Sequence, residues 1–216
     1  MTRPPRLGLT QRVTATSGRP ERMDSLDQSW TRFLTSAGFT VIPLPNLLRD
    51  PESYVDAFGL TGIVLTGGND LASVDGAVDP APERDALETR LLQLAVDRRL
   101  PVLGVCRGMQ VMVRHHGGQI TTLTGHAGTE HPIHFERAFP VPADGPVSMR
   151  SFHNFGVRRE DLPAALEVAA TAADGTIEAV IHRQLPQWGI MWHPERGDPA
   201  ARDRALVTML FAGGAR

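Results

Sequence analysis

Apolar and polar positions alternate between two periods through the first half of this chain. "RLGLTQRV" and "FTVIPLP" read as strands, and "GIVLTGGND" holds a continuous apolar run ended by glycines, as a buried parallel strand opening into a loop would. "DSLDQSWTRFLTSAG" reads as a helix with Asp24 as its N-cap and Gly38 at its end. "PERDALETRLLQLAVDRR" is the clearest amphipathic helix, with Leu87, Leu91, Leu94 and Ala95 on one face and charges on the other. "PVLGVC" follows as a central strand, and "RGMQVMVRHHGG" as a helix stopped at Gly117 or Gly118. Strands alternating with helices predict an α/β fold, a doubly wound and mostly parallel sheet with helices on both faces.

From about residue 119 the segments shorten and gain Gly, Pro and Thr. "HPIHF", "VSMRSFHNFGV", "LEVAATA" and "IEAVIHR" predict a small antiparallel extension, ahead of a last apolar strand "QWGIMWHPE" and a C-terminal helix "DPAARDRALVTMLFAGG". No internal repeat or low-complexity linker interrupts the chain, so residues 1–216 are expected to form one domain.

Composition narrows the function classes. With 22 basic against 24 acidic residues the formal net charge is -2, which gives no general attraction to nucleic acid or to an anionic membrane. A single cysteine excludes an internal disulfide. "MTRPPRLGLT" lacks the apolar core of a signal peptide, and no run approaches the roughly 18 apolar residues of a membrane span. A cytoplasmic protein is expected, acting on a small molecule.

The one cysteine has an unusual setting. Gly104-Val105-Cys106-Arg107-Gly108 lies where a strand should turn into a helix, and its G-x-nucleophile-x-G layout is that of a nucleophile elbow. Glycines two residues either side remove Cβ atoms that would collide across so tight a turn. The helix N-terminus favours a thiolate there, and the backbone N–H of Arg107 is placed to hold an oxyanion. On this pentapeptide alone, a buried filler cysteine reads equally well. A nucleophile also needs a base and an orienting group. "WGIMWHPERGD" offers both, since His193 and Glu195 share a face of an extended segment, which Pro194 favours at His193.

"LTGGND", "PVLGVCRGMQ", "SFHNF" and "GIMWHPER", in that order and spacing, resemble the class I glutamine amidotransferase-like hydrolases. The resemblance runs from "LGLTQR" to the last helix and implies a flavodoxin-like fold, a Cys106-His193-Glu195 triad, and cleavage of a γ-glutamyl amide through a thioester. It further implies an oxyanion hole from the N–H of Arg107 and of Gly67 or Gly68. Asn69, Gln110, Ser151, Phe152 and His153 are implied as substrate-binding residues. No cofactor is implied. His126, His131 and His134 in "HAGTEHPIH" have no cysteine or carboxylate partner in their segment, so no metal site is expected from them.

The nature of the leaving group is more open. Arg107 after the cysteine and Trp192 before the histidine resemble the free-standing γ-glutamyl hydrolases, while "GGNDL" and "SFHNF" depart from those acting on γ-glutamyl-γ-aminobutyrate and are closer to γ-glutamyl-CDP-amidate hydrolases. A glutaminase subunit that passes ammonia to a separate synthase is the alternative, and a homodimer or such a synthase partner stays open. One feature independent of the resemblance favours an anionic leaving group. Arg12, Arg19 and Arg22 follow the first strand, at the sheet edge where doubly wound folds bind ligands, and arginine forks suit phosphate oxygens. A solvated basic loop explains them equally simply.

Overall fold

The computed structural model describes residues 3–137, 139, 146–197 and 200–212. Five parallel strands form one side of a nine-stranded sheet: β4 (Thr40–Leu44) at the edge, then β1 (Arg6–Thr10), β5 (Gly62–Leu65), β6 (Val102–Val105) and β13 (Gln187–Ile190), in that spatial order. β5 and β6 are buried along their whole length, which explains why they read as continuous apolar runs rather than alternating ones. The sheet continues antiparallel through β12 (Ile177–His182), β11 (Leu166–Ala172), β8 (Ala127–Phe135) and β9 (Val147–Phe152).

Helices cover both faces. Trp30, Phe33 and Leu34 of α1 (Gln28–Ser36) join Leu206, Val207, Leu210 and Phe211 of α5 (Ala201–Ala212) in one apolar layer. Val55 of α2 (Pro51–Phe58), Leu87, Leu91 and Leu94 of α3 (Pro82–Arg98) and Met109 and Met112 of α4 (Arg107–His115) make the other. The fold is therefore the α/β arrangement that the sequence pattern predicts.

Three local differences have physical reasons. The first apolar stretch is two strands: β1 stops at Thr10, and β2 (Arg12–Ala15) leaves the sheet to pair antiparallel with β3 (Arg22–Ser25). Asp24, expected as a helix cap, belongs to β3, where its carboxylate accepts from the backbone N–H and the Nδ2 of Asn46 at 2.8 and 2.7 Å. The cap is Asp27, which accepts from Ser29 N–H at 2.9 Å. α2 was not anticipated, although Asp50 caps it, Pro51 starts it and Gly59 ends it in the left-handed region, each a standard signal.

Candidate active site

The carboxyl ends of β5, β6 and β13 meet at one cavity of about 230 Å³. Cys106 sits at its base, directly after β6 and immediately before α4, with φ 53° and ψ -107°. A non-glycine residue in that region is strained, and the surroundings hold it there. Its N–H donates to Ile190 C=O at 2.7 Å. A Cβ on Gly104 would come within 2.6 Å of Gly108 C=O, and one on Gly108 within 2.0 Å of Leu65 C=O. The two glycines are thus required by close backbone approach on both sides of the thiol.

His193 and Glu195 lie just past the end of β13. Their contact forms across a turn, closed by Arg196 N–H on His193 C=O at 3.2 Å, rather than along an extended strand as the sequence suggested. Proline at the second position suits such a turn. His193 Nδ1 and Glu195 Oε1 are 2.8 Å apart, and both residues are buried. A carboxylate only accepts, so Nδ1 carries the proton and the other ring nitrogen is left for the thiol. Burial works against a charged imidazole, but Cys106 and then Glu195 outweigh it and push His193 up to about 9. A Cβ built on Gly67 would lie 2.7 Å from His193 Cε1 and 3.5 Å from Cys106 Cβ, so the glycine loop closes over this pair.

A fully buried arginine organises that loop. Arg84 of α3 donates to the carbonyl oxygens of Thr66 at 2.5 Å, Gly67 at 3.2 Å and Gly68 at 2.6 Å. In a planar trans peptide the following N–H points the opposite way, so the N–H groups of Gly67, Gly68 and Asn69 face away from Arg84. Arg107, as the first residue of α4, has an N–H with no intrahelical partner. Its side chain is buried too, and pairs with Glu88 and Asp85. Glu88 is also bonded to Arg84 at 2.9 Å. At helical spacing Arg84 and Glu88 fall on the same face of α3 as Leu87, Leu91 and Ala95, and both are buried under the loop; the sequence pattern alone did not single them out.

The remaining residues singled out by sequence divide into groups. Arg12, Gly68, Asn69, Gln110, Phe152 and His153 line the cavity. Gln110 Nε2 donates to Phe155 C=O at 2.9 Å, and His153 Nδ1 is 3.1 Å from the same oxygen. Asn69 uses its amide on the backbone of Val13, at 2.8 and 2.9 Å, and on Asp79, so it ties the β2–β3 hairpin to the glycine loop. Ser151 is buried outside the cavity lining. The guanidinium of Arg12 lies over Gly68, 3.0 Å from a Cβ built there. Arg19 is exposed beside Glu21, and Arg22 is bonded to Glu83 at 2.9 Å through Nε; neither lines the cavity. Arg196, overlooked in the sequence, does line it and stacks 4.5 Å over the Phe152 ring.

Residues 7–195 match the family model described as Peptidase C26. The chain is 30% identical over 191 residues to a gamma-glutamyl-CDP-amidate hydrolase of Campylobacter jejuni, an alignment covering 88% of this chain and 90% of that protein. It is 32% identical over 184 residues to the carbamoyl phosphate synthase small chain of Symbiobacterium thermophilum, covering 84% of this chain and 46% of that one. Among solved structures, a glutamine amidotransferase from Thermotoga maritima superposes with a TM-score of 0.65 at 14% identity, covering 97% of this chain and 83% of that chain, a likeness of fold. Among the described residues no helix is long and apolar enough to cross a membrane.

Proposed function

The chain belongs to the peptidase C26 family of class I glutamine amidotransferase-like amide hydrolases, and we propose that it cleaves γ-glutamyl amides through a thioester on Cys106. The observation that carries this reading is the buried His193, held by Glu195 on one ring nitrogen and acted on by Cys106 from the other side. With its proton already held on His193, the Cys106 sulfur attacks the γ-carbonyl carbon, and a tetrahedral oxyanion forms between the N–H of Arg107 and that of Gly67 or Gly68. His193 returns the proton to the leaving nitrogen, the C–N bond breaks and the C–S bond remains. Water, deprotonated by His193, then displaces the sulfur and releases glutamate. Gln110 and His153, both fixed on Phe155 C=O, form the wall against which the glutamyl group rests.

An anionic leaving group, such as a nucleotide phosphoramidate, is favoured by Arg12 and Arg196 at the same cavity. Asp70 and Asp79 also line it, but their carboxylates already accept from the N–H groups of Val78 and Asp79 and from Asn69. The reading therefore places the phosphate clamp on Arg12, with Arg19 and Arg22 farther out. Purified protein offered glutamine, γ-glutamyl-γ-aminobutyrate and γ-glutamyl-CDP-amidate should show its highest kcat/KM on the last. Arg12→Ala should raise KM for the phosphoramidate far more than for the γ-aminobutyrate conjugate; equal effects on both contradict the clamp. Glutamine preferred only when a second protein is added would favour the synthase-subunit reading instead.

A further inference from the structure

A second cluster of chemically competent side chains lies behind the cavity wall. His126, His131, His153 and Glu178 each place one candidate ligand atom so that all four lie within 4.8 Å of one another. Glu178 Oε1 is 3.5 Å from His126 Nδ1, 3.5 Å from His153 Nε2 and 3.8 Å from His131 Nε2. The side chains of His126, His153 and Glu178 are only 6%, 1% and 2% exposed. None of these inward atoms has a hydrogen-bond partner among the described residues.

The outward nitrogens explain why. His126 Nε2 meets Asp174 Oδ2 at 3.1 Å, and His153 Nδ1 meets Phe155 C=O at 3.1 Å. A carboxylate and a carbonyl only accept, so those two nitrogens carry the protons. In the neutral rings, His126 Nδ1 and His153 Nε2 then point bare lone pairs at a buried carboxylate oxygen. Acceptors facing acceptors in a buried site are unfavourable unless a cation or added protons lie between them. Asp174 is itself held by Thr176, through its N–H at 3.0 Å and its hydroxyl at 2.9 Å, which is the supported outer carboxylate typical of metal-bound histidines.

We propose that His126, His131, His153 and Glu178 bind a tetrahedral divalent transition metal ion, with zinc as the best match, outside the Cys106-His193-Glu195 chemistry. Four ligands at roughly 2.0–2.1 Å around zinc lie about 3.3 Å apart; the three separations from Glu178 Oε1, 3.5 to 3.8 Å, are close to that, the widest pair, within 4.8 Å, draws together on binding, and three imidazoles exclude calcium and magnesium. The sequence reading set the histidine-rich segment aside for want of a carboxylate. β12 supplies that carboxylate as Glu178, and His153 takes the place of the exposed His134. The ion stitches β8 and β12 to the segment after β9. Because His153 also lines the catalytic cavity, the ion fixes one wall of the substrate pocket.

The test uses the full-length Cys106→Ala protein, so that the active-site thiol contributes no ligand. After chelator treatment and dialysis, it is titrated with zinc against a chromophoric chelator, and separately with cobalt. The expected result is one zinc per chain and the strong visible absorption of four-coordinate cobalt. His131→Gln alters a ring with no hydrogen-bond partner, so it leaves the fold intact, and it should weaken zinc by more than 100-fold; Asp174→Asn, an outer partner, should weaken it roughly 10–100-fold. Failure of the Cys106→Ala protein to bind zinc, or binding unchanged in folded His131→Gln, overturns the proposal and leaves extra protons as the cluster's cation. Neither result bears on whether Cys106 is the nucleophile.

Discussion

Arg84 and Arg107 share one buried carboxylate, that of Glu88, with one guanidinium on each oxygen. Arg84 holds the carbonyls of the glycine loop, and Arg107 carries the N–H after the cysteine, so one side chain of α3 links both halves of the proposed oxyanion hole. Burial pulls Arg84 down to about 10, yet it stays charged at neutral pH, and Arg107 and Arg84 together hold Glu88 below the usual carboxylate range despite its burial. Removing one partner of such a group typically costs about 3–5 kcal/mol because the others are left buried and unpaired.

Glu88→Gln should therefore lower stability by a few kcal/mol in urea unfolding. At a temperature where it remains folded it should lower kcat by at least about tenfold, with little change in KM, since oxyanion contacts strengthen only in the transition state. An unchanged kcat would separate Glu88 from the oxyanion hole.

The pH behaviour of His193 follows from its partners. Its folded value near 9 lies above the ordinary value of 6.5, so the charged ring's contacts add stability that is fully present below pH 6.5 and is lost as pH rises through 9. The shift corresponds to something on the order of 3 kcal/mol. In NMR titration the His193 ring should titrate near 9 in the native protein and clearly lower in Cys106→Ala, which removes the larger of the two raising partners. An unmoved midpoint would show that the thiol does not face the ring.

Gly67→Ala separates fold from site. Gly67 is not among the residues with positive φ, so alanine fits its backbone, but the added Cβ would come 2.7 Å from His193 Cε1. Stability should change by less than about 2 kcal/mol while activity falls 10²-fold or more, the size of effect a displacement of about 1 Å produces at a catalytic group. Gly108→Ala meets backbone at 2.0 Å and should compromise folding itself.

Arg22→Ala removes a partly exposed pair with Glu83, worth up to about 1 kcal/mol, and should leave KM unaltered for every substrate. Arg12→Ala and Arg196→Ala should each raise KM for a phosphorylated γ-glutamyl compound. Steady-state kinetics on the three variants distinguishes cavity arginines from surface ones.

The parts of the site that lie close together in sequence were legible there. Cys106 stands in a G-x-C-x-G turn, and His193 and Glu195 are two residues apart, so local spacing carried their proximity, though not the turn through which His193 and Glu195 meet. Arg84 and Glu88 were not singled out, although their spacing from Leu87 and Leu91 puts them on the apolar face of α3; the partners that satisfy them, the carbonyls of residues 66–68 and the Arg107 guanidinium, come from segments distant in sequence. The β1–β2 break at Gln11 was hidden for a similar reason: polar and apolar residues continue across it, and the departure is fixed by pairing with β3 and by the Asn69 amide on Val13. Charge alone could not tell Arg12, over the glycine loop, from Arg22, whose partner is Glu83 far along the chain.

The central claim, that Cys106 carries the glutamyl group, is tested most directly by intact-protein mass spectrometry after rapid acid quench with a γ-glutamyl amide. The account predicts a mass increase of one glutamyl group on the native protein, mapped to the peptide containing Cys106, with neither adduct nor glutamate release in Cys106→Ala. Glutamate release undiminished in Cys106→Ala would contradict it.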